Sequence, residues 1–472
     1  MTVWKTQNKR RPRAYINVIG KGNNQLNAEI GRTLLPINTE LNWGAKGIIK
    51  LNAESNFLAT LGHDINDPEL QTLREVLKGA NTVLLLNNND GEKALVNDET
   101  LPWVFTAKYP GTIGNNLHVS VEKKDDQVTV STLFNTKMVD QQMISTSRPE
   151  DLMPNDYIDV KLTDRKAPDT PNTPAESGTT KDTNNTPIVG SQGSNLLDEL
   201  KSDVTVNLTG GVTNPEPISD LLTDALETEN YDVATTAGFA IGDEIHKQLV
   251  AEIKHLRDDV GIKVRGVIPA IGGGANYEGI SQVANGVILN DGTQLSATVA
   301  AGFFAGASSS ADAAKSLTYV EYPDAISAYP KFNNDRTIQA LEKGQIVFTT
   351  KRNETVIIEQ DINSLTSFTE TKPVFFGKNR VVRTMDTVVR NTEETFENMF
   401  IGKVTNDEAG RNLFKANRVS YLQGLADGGV ITGFSEDDIS VEPGNDRDSI
   451  VVNLAITPLD SMEKLYMTMV VQ

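Results

Sequence analysis

The apolar positions of the chain follow two periods, and the order of these periods predicts several domains. Residues 20–95 have the texture of an α/β unit, with leucines at helical spacing followed by an apolar run, Thr82 to Leu86, that indicates a buried strand. Residues 96–208 contain short alternating runs, which are typical of an antiparallel β-sandwich. From about 204 to 340 strands and helices alternate again. The pattern predicts one α/β domain, with helices on both faces of its sheet, that is interrupted by a sandwich.

The last third of the chain has a mixed pattern that ends in an alternating run. A hairpin is predicted to pair residues 345–350 with 355–360, and helices are predicted over roughly 383–402 and 406–426. In residues 465–472, Leu, Met, Met and Val alternate with Tyr, Thr, Val and Gln. A terminal strand of this kind must pair with the edge of a sheet somewhere.

The first residues form a basic segment on an acidic protein. Residues 1–13 contain no acidic residue and five basic ones: Lys5, Lys9, Arg10, Arg11 and Arg13. The run that follows, Ala14 to Ile19, is rich in β-branched and aromatic residues and indicates a short strand. Two interpretations stay open, a solvated tail or an arm that lies on the acidic body of a neighbouring copy.

These patterns divide the chain into five parts. Residues 163–195 contain four prolines among many Thr, Asn, Gly and Asp residues, and they predict an exposed, disordered loop. The predicted parts are an N-terminal arm at 1–20, a discontinuous α/β core at 21–95 and 205–345, an inserted sandwich at 96–204, a C-terminal domain at 346–464 and a terminal strand at 465–472.

Composition excludes several classes of protein. The chain has 472 residues, enough for about three domains, and a formal net charge of −19. Such an acidic chain is a poor candidate for binding nucleic acid, which requires clustered Lys and Arg. No apolar stretch approaches the about 20 residues that span a bilayer, and the basic start is not followed by the apolar region of a secretory signal. Cysteine is absent, so disulfides and thiolate sites are excluded, and we expect synthesis in a cytoplasm.

Residues with catalytic potential do not form a recognisable set. His246 and His255 share a predicted helix but lie nine positions apart, on opposite faces, so they cannot share a metal. There is no GxxxxGK[ST] motif, and Gly272-Gly273-Gly274 is better explained as a turn. The segment around Ser310 fails the G-x-S-x-G pattern, and we interpret Ser310 with Asp312 as a cap. We therefore predict no catalytic, cofactor-binding or metal-binding residues and no enzymatic activity.

One helix carries a pattern with a binding interpretation. In the predicted helix 406–426, Arg411, Lys415 and Arg418 fall at positions i, i+4 and i+7, which places three basic residues on one face. This stripe is either a solvated face or a docking surface for an acidic partner.

Several segments, in order along nearly the whole chain, resemble the contractile tail sheath family of phages, phage-tail-like bacteriocins and related injection machines. They are RPRAYINV at 11–18, AKYPGTIGNNLHVSV at 107–121, NLTGG at 207–211, AGFFAGASSSADAAKSLTYVEYPDAI at 301–326, GQIVFTTKRNETVIIEQDINSLTSFT at 344–369, FIGKVTNDEAGRNLFKANRVSYLQGL at 400–425 and the terminal strand. The loop at 163–195 matches nothing in the family pattern.

The resemblance implies a subtilisin-like α/β core domain without protease activity, a peripheral inserted β-sandwich, a mixed C-terminal domain, and two arms that add strands to neighbouring subunits. The arms map onto two sets of residues: Ala14, Tyr15, Ile16, Asn17 and Val18, and Leu465, Tyr466, Met467, Thr468, Met469 and Val470. A C-terminal-domain helix contacts the inner tube in the family, and the helix with Arg411, Lys415 and Arg418 is the candidate here.

The function implied is that of a structural subunit that polymerises helically around an inner tail tube and contracts from a metastable extended state. The implied partners are other copies in stacked hexameric rings, the tube protein, and baseplate and tail terminator proteins, with no nucleic acid and no membrane insertion. The particle would be a virion tail or a phage-tail-like particle assembled in a bacterial host. Two other interpretations stay open, a non-contractile coat or surface-lattice protein and a subtilisin-like hydrolase.

Overall fold

The computed structural model describes residues 30–163, 196–200 and 202–471. The strands are, in chain order, β1 (Arg32–Pro36), β2 (Gly47–Leu51), β3 (Thr82–Asn87), β4 (Leu95–Val96), β5 (Trp103–Ala107), β6 (Leu117–Lys124), β7 (Gln127–Phe134), β8 (Lys137–Ser145), β9 (Ile158–Leu162), β10 (Val204–Asn207), β11 (Val233–Thr235), β12 (Arg265–Pro269), β13 (Ile280–Val283), β14 (Gly286–Leu289), β15 (Gln294–Leu295), β16 (Ala325–Tyr329), β17 (Gln345–Ile346), β18 (Phe348–Thr350), β19 (Val356–Ile358), β20 (Ile431–Thr432), β21 (Ile439–Pro443), β22 (Ile450–Leu454) and β23 (Thr457–Pro458).

The helices are, in chain order, α1 (Phe57–Leu61), α2 (Gln71–Leu77), α3 (Leu196–Glu199), α4 (Ile218–Thr228), α5 (Ile245–His255), α6 (Ala297–Ser310), α7 (Asn334–Glu342), α8 (Asn379–Met399) and α9 (Glu408–Asp427). A π-helical turn, Leu256–Val260, extends α5. The predicted N-terminal arm residues, Ala14 to Val18, and all but the first residue of the predicted loop at 163–195 lie outside the described part of the chain.

The largest sheet has seven strands in the order β17-β13-β12-β11-β1-β3-β2. Neighbouring strands are parallel except for β2, which runs antiparallel to β3. Strands β3 and β12 are buried along almost their whole length, as expected for a parallel sheet with helices on both faces. The alternation of strands and helices in the sequence therefore predicted this layer correctly.

The central strands send alternate side chains into two apolar cores. Leu35 and Leu85 pack with α2 and α6 on one face of the sheet, whereas Leu34 and Leu84 pack with α4 and α5 on the other. On the first face, α6 crosses α2 so closely that a Cβ atom on Gly306 would lie 2.1 Å from a backbone oxygen of α2. Glycine is needed there for the two helices to approach.

Between the large-sheet strands β3 and β11, the described residues form two antiparallel sheets, β10-β6-β7-β8 and β4-β5-β9. The two sheets share one apolar core, which includes Trp103 and also Trp43 from earlier in the chain. The outgoing and returning chains run side by side, with Glu92 bridged to Val212. Their approach leaves no room for a Cβ atom on Gly91, which would lie 1.8 Å from the Val212 oxygen.

The structure corrects one strand assignment in this region. The sequence pattern assigns Val204 to Leu208 to the returning α/β part, but β10 pairs antiparallel with β6, with Val206 opposite Val119. This strand is therefore the edge of the sheet β10-β6-β7-β8 and belongs to the inserted part of the chain at 96–208. Its partner lies more than 80 positions earlier, so the local pattern contained no information about the pairing.

The C-terminal part consists of α8, α9 and two small antiparallel pairs, β20-β23 and β21-β22. The two helices differ from their predicted ranges by a few residues, most at the start of α8, which begins at Asn379 instead of 383. The predicted hairpin forms only in part. Phe348–Thr350 pairs with Val356–Ile358, whereas Gln345–Ile346 joins the large sheet through β13.

Candidate assembly surfaces

The C-terminal segment presents a row of apolar side chains to solvent. Residues 465–471 belong to no helix or strand of the described chain, and Leu465, Tyr466, Met469 and Val471 are each at least 74% exposed. The strand predicted there is therefore not formed within the subunit, because none of the described residues pairs with it. Seven consecutive exposed residues, mostly apolar, are unusual for an isolated soluble protein and mark an interaction site.

Glu463, two residues before this segment, is firmly held. One carboxylate oxygen of Glu463, Oε2, accepts hydrogen bonds from Lys378 Nζ and from Gln360 Nε2, the latter at 2.7 Å. The other, Oε1, accepts from Thr318 Oγ1 at 2.9 Å. Burial would raise the pKa of Glu463, but the hydrogen bonds from Lys378, Gln360 and Thr318 outweigh it and lower the pKa. Glu463 thus fixes the root of the segment, and the residues after it extend freely from that point.

The hairpin β21-β22 has room for further strands. Its five residue pairs run from Ile439 opposite Leu454 to Pro443 opposite Ile450. No third strand joins this sheet within the described chain, and Val451 and Leu454 are 46% and 36% exposed. Each strand therefore has an outer edge where backbone N–H and C=O groups can bind an added strand.

The basic stripe of α9 is not the exposed surface that the sequence suggests. Arg418 is only 4% exposed. Its Nη1 donates to Asn391 Oδ1 at 2.9 Å and its Nη2 to Thr395 Oγ1 at 2.8 Å, both on α8. Burial also lowers the pKa of this guanidinium. Arg418 therefore holds α9 against α8 and is unavailable to a partner, which corrects its assignment as a docking residue.

The other two basic residues of the stripe are half-buried and have partners within the subunit. Arg411 Nη1 donates to Asn406 Oδ1 at 3.0 Å, and Lys415 Nζ lies 3.7 Å from a carboxylate oxygen of Glu436. The exposed face of α9 lies on another side, and its middle is uncharged, with Leu413 56% exposed and these residues also exposed: Asn412, Ala416, Ser420 and Gln423.

Three arginine–aspartate ion pairs connect α8 to the α/β domain, and the sequence analysis missed all of them. The shortest N–O distances are 2.8 Å for Arg257–Asp386, 2.6 Å for Arg383–Asp361 and 2.7 Å for Arg390–Asp232. Burial would raise the pKa of Asp361, but the charge and hydrogen bond of Arg383 outweigh it, so the pKa is lowered. The partners are separated by at least 22 residues in the sequence, so no local motif predicts these ion pairs.

The histidines and serines of the α/β domain serve structural contacts. His246 is fully buried, with Nδ1 2.6 Å from Thr236 Oγ1 and Nε2 2.8 Å from the Ala240 oxygen, and burial lowers its pKa. His255 lies on the opposite, exposed face of α5 against Asp259. Ser310 Oγ donates to the Gly79 oxygen at 2.6 Å. None of these contacts forms a Ser-His-Asp relay.

Two further observations concern ligands and membranes. In the described part of the chain, His63, Asp67 and Glu69 bring potential metal-ligand atoms together. No helix among the described residues has the length and apolar character needed to cross a bilayer.

Comparisons with known families and proteins agree over most of the chain. Residues 210–364 match the model of the phage tail sheath protein central domain, and residues 371–472 match that of the phage tail sheath C-terminal domain. The phage-like element PBSX protein XkdK of Bacillus subtilis is 32% identical over 454 residues, which cover 93% of this chain and 92% of that protein.

Solved structures give the same result. A sheath tail protein from Listeria innocua is 31% identical, covers 93% of this chain and 94% of its own, and superposes with a TM-score of 0.73. The helical sheath of the anti-feeding prophage in its contracted state shares the fold at 10% identity, with a TM-score of 0.50 and coverage of 93% and 92%.

Proposed function

The chain belongs to the phage tail sheath protein family, and from this we propose that it is the structural subunit of a contractile sheath that polymerises helically around an inner tail tube. Sheath rings would stack into a helix, with baseplate and tail terminator proteins at the two ends. The particle would be a virion tail or a phage-tail-like particle assembled in a bacterial cytoplasm. In this proposal the α/β domain is a subtilisin-like scaffold without catalysis, and the excursion at 96–208 is a peripheral β-sandwich.

The observation that carries the proposal is that the subunit has both a free apolar segment and a hairpin with open edges. Residues 464–471, extended at about 3.3 Å per residue, would reach roughly 26 Å beyond the fixed root at Glu463. The five-residue strands of β21-β22 offer an edge that part of such a segment can cover. We propose that the segment of one subunit adds a strand to the hairpin of the next, and that the N-terminal arm, Ala14 to Val18, adds another.

Such tethers suit a lattice that changes its packing. An interface between two different surfaces that does not close on itself produces a helix. Main-chain hydrogen bonds of an added strand can hold neighbours together while side-chain contacts rearrange. We propose that the extended sheath is a kinetically trapped packing that relaxes to a more buried one, so that the interface difference supplies the work without a nucleotide.

The tube contact is assigned to α9, with a changed set of residues. Arg411 and Lys415 are half-buried, and Leu413 lies on the other, exposed side of α9. We propose that α9 contacts the inner tube through Arg411 and Lys415 and that Arg418 acts only through the α8–α9 packing.

The test is negative-stain electron microscopy of the purified protein, alone and mixed with the tube protein encoded beside it. Wide hollow tubes from the protein alone and narrower tubes around the inner tube are the expected result. A single lattice under both conditions would favour a non-contractile coat, and persistent monomers would contradict the proposal as a whole. Labelling by a fluorophosphonate probe would contradict the absence of catalysis.

A further inference from the structure

The segment between α1 and α2 brings together three side chains that can bind a metal. His63, Asp67 and Glu69 each offer one ligand atom, and the three atoms lie within 4.8 Å of one another. His63 Nδ1 lies 3.5 Å from Asp67 Oδ2 and 3.9 Å from Glu69 Oε2. In a tetrahedral zinc site with ligand distances of about 2.0–2.1 Å, neighbouring ligand atoms lie about 3.4 Å apart. The two distances from His63 Nδ1 are therefore close to the spacing that such a site requires.

The hydrogen bonding of His63 gives a second, independent indication. Its Nε2 lies 3.0 Å from the Leu41 carbonyl oxygen, which can only accept, so Nε2 carries a proton. In the neutral ring Nδ1 then directs its lone pair toward the two carboxylates, and neither of its contacts with them is a hydrogen bond. Asp67 Oδ2 accepts a hydrogen bond from the Asp64 N–H at 2.9 Å, but no hydrogen bond in the described chain joins Nδ1 to either carboxylate. A cation between the three acceptor atoms would offset the repulsion of their lone pairs. A histidine that binds a metal typically donates its other N–H to a backbone carbonyl in this way.

We propose that His63, Asp67 and Glu69 bind one divalent cation of the first transition row, with Zn²⁺ as the preferred ion. One imidazole and two carboxylates suit Zn²⁺ better than Ca²⁺ or Mg²⁺, which favour sites built from oxygen alone. The carboxylates are 43% and 44% exposed, so water can occupy the remaining position. The ion would hold the chain between α1 and α2 in place, and this role does not depend on sheath assembly.

The test uses the full-length protein, stripped with EDTA and exchanged into chelator-free buffer. Calorimetric titration with ZnCl₂ should show one ion per chain, and the melting temperature should rise with Zn²⁺, because the ion binds the folded state. Co²⁺ in place of Zn²⁺ should give the visible absorption of tetrahedral coordination. Glu69→Gln, an isosteric change at a half-exposed position, and His63→Ala should each weaken Zn²⁺ binding at least about tenfold. His255→Ala, which removes a histidine paired only with Asp259, should leave binding unchanged.

Three results would overturn the proposal. Equal Zn²⁺ affinity of Glu69→Gln and the unaltered protein would place the ion elsewhere. Effective competition by Ca²⁺ at equal concentration would exclude a site with a nitrogen ligand. Absence of Zn²⁺ binding in calorimetry, together with an unchanged melting temperature, would show that the three side chains hold no ion.

Discussion

Arg257 and Asp386 form a two-point ion pair, with N–O distances of 2.8 and 2.9 Å, in which both side chains are more than 90% buried. Arg257 belongs to the turn that ends α5 and Asp386 to α8, so the pair joins the α/β domain to the C-terminal helices. The guanidinium also donates to the Val264 oxygen at 2.9 Å. Because both charges are removed from water, each is stabilised mainly by the opposite charge of its partner.

Removing one partner of this pair should be costly. Asp386→Ala leaves the buried Arg257 guanidinium without its counter-charge, and we expect the free energy of unfolding to fall by about 3–5 kcal/mol. The matched control is Glu244→Ala, which breaks the exposed pair with Lys247. It should change the free energy of unfolding by no more than about 0.5 kcal/mol. Urea unfolding of the unassembled subunit measures both. Equal effects of the two changes would contradict the structural role of the buried pair.

Arg418 and Arg411 should respond differently to truncation. Arg418→Ala removes hydrogen bonds to Asn391 and Thr395 from the α8–α9 interface and should destabilise the subunit by roughly 2–4 kcal/mol. Arg411→Ala and Lys415→Ala should each cost less than about 1 kcal/mol, because these residues are only half-buried. Thermal unfolding distinguishes the two classes.

A tube-binding assay distinguishes the α9 residues that contact the tube from those that stabilise the subunit. A co-sedimentation assay with the tube protein should show weaker binding for the double change of Arg411 and Lys415 to alanine, while sheath self-assembly persists. Leu413→Asp, on the exposed side of α9, tests whether that side contributes to the contact. Gly424, which is exposed one turn from the end of α9, provides a control position for substitution to alanine. Unchanged tube binding in both variants would contradict the α9 assignment.

The sequence pattern predicted the elements that are determined locally and failed where a distant partner decides. The strand that begins at Thr82 contains an unbroken run of apolar residues, so the sequence pattern predicts it. Val204–Asn207 has equal strand character, but its partner β6 follows from the path of the whole excursion. Arg418 illustrates a missed signal. It lies four residues from both Phe414 and Leu422, which are buried, so the spacing already placed it on the inward face of α9.

Glu463 should give the root of the C-terminal segment an acid-sensitive stability. Its pKa is lowered in the folded state, so its stabilising contribution is complete above the unfolded value of about 4.3 and is lost as the pH falls through the folded pKa. The protection factors of the amides at 459–464, which correct for the slower intrinsic exchange in acid, should therefore fall at acidic pH, and Glu463→Gln should show low protection already at neutral pH. Asp460→Asn, whose carboxylate lies 3.8 Å from Lys378, is the control and should have a smaller effect. Slow exchange in Glu463→Gln would show that other contacts hold the root.

The strand proposed for the C-terminal segment can be tested without deleting it. Residues 465–471 are exposed and distant from the apolar cores, so changes there should leave folding intact. Deletion of 465–472 should yield folded subunits that form no tubes, but deletion also removes apolar surface. Met467→Pro removes one backbone N–H from the middle of the segment and fixes its φ angle, so it should block strand addition. Met467→Val keeps the N–H and a side chain that favours strands, and tubes should form as before. Electron microscopy of the two variants with matched melting temperatures decides the point, because ordered tubes from Met467→Pro would show that side-chain contacts, and not a backbone ladder, join the subunits.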